Sequence, residues 1–236
     1  METKAERGKD DIHVIVFPFP IEGHINPMLQ FSRQLVSRGL RVTLVTTSPF
    51  ATKFTPLDSN SITIETISDG TTEVASAKST DAYITRFNEV APHSLTQLTE
   101  KKLQVKDHVK CLIYDSTIPW GLDVARKFGM YGVPFFTHSC LVSLVFHQVY
   151  HGVLSTPIEE ETNMCVGGMP LIEARDVPSL VRKVGVFPVL EKLVLDQFSN
   201  CGDADWVCVS PLPPWISSTL MISTIHNKNI IVIAFF

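Results

Sequence analysis

The chain has 236 residues, of which 44% are hydrophobic and 19% charged, with a net charge of −4; that is enough for one large domain or two small ones. The balanced charge leaves no basic footprint for nucleic acid or an anionic membrane. The opening METKAERGKDD lacks the apolar core of a secretory signal, and no apolar run approaches the roughly 20 residues that span a bilayer.

The elements follow in chain order. His13 to Phe17 (HVIVF) is an almost wholly apolar, β-branched run, the pattern of a strand buried on both faces of a parallel sheet. Asn26 reads as an N-cap and Pro27 as the first helical residue. Met28, Leu29, Phe31, Leu35 and Val36 recur at helical spacing, and Gly39 is the stop. Arg41 to Thr46 is a second strand, which completes a βαβ unit. Ile62 to Ile67 is a strand that ends at the turn Ser68-Asp69-Gly70. Tyr83 to Leu103 has helical periodicity, with an interruption expected at Pro92. Val109 to Tyr114 is a strand ending at Asp115, Pro119 to Phe128 a short helix, Val133 to Thr137 a strand and Leu141 to Leu154 a helix. Residues 155–175 read as loop, Phe187 to Asn200 as helix and Asp205 to Val209 as strand. The last 27 residues lack the α/β rhythm. This alternation predicts a Rossmann-like, doubly wound parallel α/β sheet.

Five cysteines, an odd number, without a CxxC pair, fit reduced thiols and a cytoplasmic protein. Cys111 and Cys140 lie in apolar segments and read as core thiols.

Ligands of open parallel sheets bind outside the carboxyl ends of the strands. Three polar groups fall there: His24 after the first strand, Asp115 after a middle one, and the segment from Thr137 to Ser139. A neutral imidazole can take a proton from a hydroxyl. The adjoining helix N-terminus disfavours the imidazolium and should keep the free ring neutral. A carboxylate on the other ring nitrogen, with Asp115 the candidate, would fix the tautomer and stabilise the charge formed in reaction. A His-Asp pair without a protein nucleophile points to activation of a substrate hydroxyl. Plainer roles stand beside this: His24 as a structural ring, Asp115, Ser116 or Thr117 as a helix cap, and His138 as a packed loop residue. His147 and His151 (HQVYH) have the spacing to share a metal, but lack the metalloprotease glutamate and a third ligand, so no metal is expected. The P-loop, GxGxxG and GxSxG patterns are absent, against nucleotide hydrolysis, dinucleotide binding and serine hydrolysis.

The blocks HVIVFPFPIEGHINPMLQFSRQL, CLIYDSTIPWGLDVARKFG and VPFFTHSC, with ISDG, PLIEARDVPSLV and FSNCGDADWV, resemble plant UDP-dependent glycosyltransferases of family 1 over about Asp11 to Val207. The resemblance implies the amino-terminal, acceptor-binding half of a two-domain GT-B fold. It implies an inverting transfer of glucose from UDP-glucose, as co-substrate, to a hydroxyl or carboxyl of a small plant metabolite. By position, His24 falls on the family's base, Asp115 on its partner acid and Thr137 on a donor-sugar contact. The acceptor pocket is expected at Phe19, Pro20, Gly23, His138 and Phe146, with 71–79 and 146–150 at its rim.

Residues 1–11 are expected to be a flexible terminus, 12–209 the acceptor-binding domain and 210–236 a poorly ordered tail outside the family pattern. The family's second domain, with its UDP-sugar box, has no counterpart in the sequence. The expectation is a truncated chain that is inactive alone and open to self-association through the exposed face. The competing reading is a non-catalytic binding or interfering fragment; a nicotinamide oxidoreductase follows from the fold class alone.

Overall fold

The computed structural model describes residues 12–51, 62–71, 79–104, 108–159, 163–164, 172–209 and 229–232. In chain order these form β1 (His13–Phe17), α1 (Glu22–Ser37), β2 (Arg41–Thr47), α2 (Ser48–Ala51), β3 (Thr63–Ile67), α3 (Thr80–Gln104) and β4 (Val109–Asp115). Then come α4 (Gly121–Lys127), β5 (Tyr131–Phe136), α5 (Cys140–Tyr150), β6 (Asn163–Met164), β7 (Ile172–Glu173), α6 (Ser179–Arg182), α7 (Pro188–Asp196), β8 (Trp206–Val209) and β9 (Asn229–Val232).

Seven strands make one sheet in the order β3-β2-β1-β4-β5-β8-β9. Every neighbouring pair in it is parallel. β1 shows why its sequence is apolar throughout. Ile15 and Phe17 point into one core with Ile84, Phe87 and Leu95 of α3, while Val14 and Val16 point into the other with Met28, Leu29 and Phe31 of α1. Side chains alternate faces along a strand, so a strand covered on both sides needs apolar residues at every position. A third cluster joins Leu144, Val145 and Phe146 of α5 to Val194 of α7 and Val207 of β8. At Gly121 a Cβ would stand 2.5 Å from the Tyr114 ring, so glycine is what lets α4 close down on β4.

The helices depart from expectation at their prolines. α1 begins at Glu22, four residues before Asn26, and carries Pro27 inside it. Ile25 N–H already donates to the Ile21 carbonyl at 2.9 Å. Pro27 deprives the Gly23 carbonyl of its helical partner, and Gly23 is exposed, where water can replace it. α3 likewise runs unbroken through Pro92 for 25 residues. An interior proline costs about 3 kcal/mol. Burial of one large apolar side chain returns about 1.5–3 kcal/mol, and α3 buries Ile84, Phe87 and Leu95. Gly39 ends α1 as expected, at φ 85°, with its N–H on Val36 O.

Two other expectations change. The stretch read as loop contains a short antiparallel pair, β6 with β7. The carboxyl-terminal stretch contributes β9, parallel to β8, with Trp206 facing Asn229 in register. Residues 1–11, 210–228 and 233–236, and most of the expected rim at 71–79, lie outside the described residues. No helix among the described residues is long and apolar enough to cross a membrane.

Candidate active site

The strand order reverses between β1 and β4. At such a switch point the two following segments splay apart and leave a crevice at the carboxyl ends of the strands. Phe17 and Tyr114 are register partners, so the segment holding His24 and the end of β4 at Asp115 meet at that crevice. They are 91 residues apart in sequence, yet His24 Nδ1 lies 2.7 Å from Asp115 Oδ2.

His24 occupies the first turn of α1 and is 9% exposed; Asp115 is fully buried. The second carboxylate oxygen, Oδ1, accepts the Thr117 N–H at 3.0 Å and the Thr117 hydroxyl at 2.7 Å. Asp115 therefore does not cap α4, whose N-cap is Trp120. Its two oxygens divide their work: one holds the loop, the other holds the imidazole. The loop is further tied down where Ser116 Oγ donates to Gln197 Oε1 at 3.0 Å and Ser116 N–H to Phe135 O.

The electrostatics follow from this packing. Burial disfavours the imidazolium of His24, but the Asp115 charge and hydrogen bond outweigh it, and the His24 pKa is raised. The expectation that the helix N-terminus keeps the ring neutral is thereby corrected: a carboxylate in direct contact outweighs a partial charge. For Asp115, burial pushes the pKa upward, but the His24 charge and the hydrogen bonds from His24 and Thr117 win, and it is lowered. With Nδ1–H directed at the carboxylate, Nε2 is the proton acceptor of the neutral ring.

Of the other expected residues, Thr137 comes closest, with Oγ1 3.1 Å from His24 Nδ1. Phe19 packs edge-on to the His24 ring at 5.8 Å, and His138 stands perpendicular to it at 5.5 Å. Burial and the neighbouring His24 charge lower the His138 pKa, and its Nδ1 is buried without a hydrogen-bond partner. Phe146 is fully buried and touches the site only through the His138 ring. Pro20 is buried and Gly23 exposed beside the base. Sequence reasoning missed Thr117 as the brace of Asp115; the only signal was a hydroxyl residue two places after the acid. Among the described residues no three His, Cys, Asp or Glu side chains group to hold a metal ion.

Comparison with known proteins agrees with this geometry. The model of the glycosyltransferase N-terminal domain matches residues 10–55. Mogroside I-E synthase of Siraitia grosvenorii is 36% identical over 199 residues, covering 84% of this chain and 44% of that protein. The indole-3-acetate beta-glucosyltransferase of Zea mays is 36% identical over 209 residues, covering 83% of this chain and 44% of that protein. The structure of Os79 from O. sativa, in complex with U2F and trichothecene, superposes with a TM-score of 0.72 at 28% identity, over 84% of this chain and 46% of that one. Apo UGT2 of Phytolacca americana shares the fold, at TM-score 0.69 and 17% identity over 85% of this chain and 46% of that one. The chain spans about half the length of the curated relatives it matches.

Proposed function

We propose that this chain, which belongs to the plant UDP-glycosyltransferases and matches their amino-terminal half, is the acceptor-binding and proton-accepting half of a UDP-sugar glycosyl transfer. The observation that carries the reading is the 2.7 Å contact between His24 and the buried Asp115. An acceptor hydroxyl donates its hydrogen bond to His24 Nε2. As its oxygen attacks the anomeric carbon of the donor sugar, the proton passes to Nε2 and the bond to UDP breaks, with inversion. The imidazolium so formed already has its counter-charge, and Asp115 itself stays ionised. Its position beyond β5 gives the Thr137 hydroxyl a part at the donor sugar. A carboxylate acceptor needs no base, and His24 then orients it by a hydrogen bond. No metal takes part, and UDP-glucose is the donor. The reaction is cytoplasmic.

The relatives' remaining half is the natural source of the nucleotide grip, and holding the donor in place is worth several kcal/mol of barrier. The test is therefore a chimera of this chain with the carboxyl-terminal half of a relative, supplied with UDP-glucose and a panel of phenols and carboxylic acids. UDP release that disappears with His24→Ala supports the reading. An active chimera indifferent to His24→Ala defeats it. The half-length match also favours a second reading, a binding module that acts without turnover; it predicts that the chain holds small phenols but ignores UDP-glucose.

A further inference from the structure

Beyond the His24 pair, the same edge of the sheet carries a second polar constellation at the ends of β2 and β3. Asp69, two residues past β3, is 5% exposed and faces an open recess of about 810 Å³ with Ser48, Thr66, Ser68 and Thr71. Its Oδ1 accepts the Thr71 N–H at 2.8 Å, and its Oδ2 accepts the Tyr83 hydroxyl at a long 3.3 Å. A carboxylate offers about four acceptor positions, so two bonds leave capacity turned toward the recess. Burial and then the Asp69 charge push the Tyr83 phenol up, so it remains a donor.

An unbroken aromatic wall joins this recess to the base. His24 meets Phe19 at 5.8 Å, Phe19 meets Phe87 at 5.2 Å, and Phe87 stacks on Tyr83 at 6.2 Å. Tyr83 then reaches Asp69. β2 lies between β1 and β3, so the two ends stand about 10 Å apart, two strand spacings. That is the reach of a molecule with two or three rings. An apolar wall with one hydrogen-bonding station at each end is the usual build of a small-molecule site.

We infer that the Asp69 recess is the distal subsite of the acceptor site, and that it selects flat, multi-ring acceptors carrying a second hydroxyl at the end away from the one that is glycosylated. The inference rests on the acceptor-half reading above. The near hydroxyl sits at His24, the rings lie along Phe19, and the far hydroxyl donates to Asp69. An acceptor without that hydroxyl leaves the carboxylate unpaired and desolvated, which is how a polar site rejects an analogue.

The test is calorimetric titration of the full chain with two probes: biphenyl bearing one para hydroxyl, and biphenyl bearing a para hydroxyl at each end. The diol should bind about tenfold or more tightly, the scale of one hydrogen bond to a charged group. Asp69→Asn keeps an oxygen for the Thr71 N–H and should shrink that preference to less than threefold. Tyr83→Phe releases a lone pair and should preserve or enlarge it, which a merely structural Asp69–Tyr83 contact would not do. Equal affinity for the two probes, or a preference that survives Asp69→Asn, overturns the subsite while the acceptor-half reading stands. Failure of the folded chain to bind either probe overturns both.

Discussion

Two histidine groups sit in this domain, and they differ in their company rather than in their burial alone. His24 packs against Phe19 and faces a fully buried carboxylate. His147 and His151, on and just after α5, stack on each other at 4.3 Å, with Phe198 against His147 and Tyr150 against His151. Aromatic packing is common to both groups. What sets His24 apart is Asp115, held in turn by Thr117, which raises the basicity of the ring and fixes which nitrogen faces out. The difference teaches that a base is made by the acid behind it.

The largest expected effect separates these groups by rate. His24→Ala in an active chimera should lower turnover by about 10²–10⁴-fold, the usual worth of a positioned general base. His151→Ala in the same chimera should leave turnover unchanged. Far-UV circular dichroism of both variants would exclude unfolding as the cause.

Next comes the acid itself. Asp115→Ala leaves His24 with no counter-charge and strips Thr117 of two hydrogen bonds. Removing one member of a buried pair costs about 3–5 kcal/mol, read as a fall in the urea midpoint. Thr117→Val should cost less, about 1.5–3 kcal/mol for a hydrogen bond to a charged group. A Thr117→Val variant as stable as wild type would mean that Asp115 is fixed by its backbone contact alone.

The pH dependence sharpens the comparison further. His24 is raised above its ordinary 6.5. Its contribution to stability is full below 6.5 and lost as pH rises through the folded-state value. The catalytic trend runs oppositely, because only the neutral ring accepts a proton. Turnover should therefore climb with pH through the raised pKa while thermal stability declines over the same interval. Asp115 is lowered from 3.8, so its contribution is present above 3.8 and lost as pH falls through the folded value. In Asp115→Asn, the His24 titration midpoint, followed by imidazole proton resonances, should drop. A midpoint that stays put would assign the shift to some other group.

Much of this arrangement is legible in the chain. HVIVF can only be a strand covered on both faces, and β1 spans those five residues. The rule that ligands meet the carboxyl ends of parallel strands brings His24 and Asp115 to one edge before any coordinate is known. Two things were hidden. The start of α1 was misplaced because Asn26-Pro27 satisfies the local rules for a helix beginning, whereas the helix is fixed by tertiary burial of His24, Ile25 and Met28. The aromatic wall from Phe19 through Phe87 to Tyr83 joins two segments more than sixty residues apart by number. No local period announces such a contact; it exists because the strand order sets α3 across the end of β1.

The smallest expected effect belongs to the second histidine group. His151 is exposed at the end of α5, and its contacts are ring faces on one side only. Surface substitutions away from caps, cores and ion pairs fall within about 0.5 kcal/mol, and His151→Ala should stay inside that range. The pair has the one-turn spacing on which two imidazoles can share a zinc ion, but a structural zinc site takes four ligands. Adding zinc should therefore leave the melting temperature of wild type and His151→Ala equal. A rise confined to wild type would show that the stacked rings open to chelate, and that this group, too, acquires a function from what stands beside it.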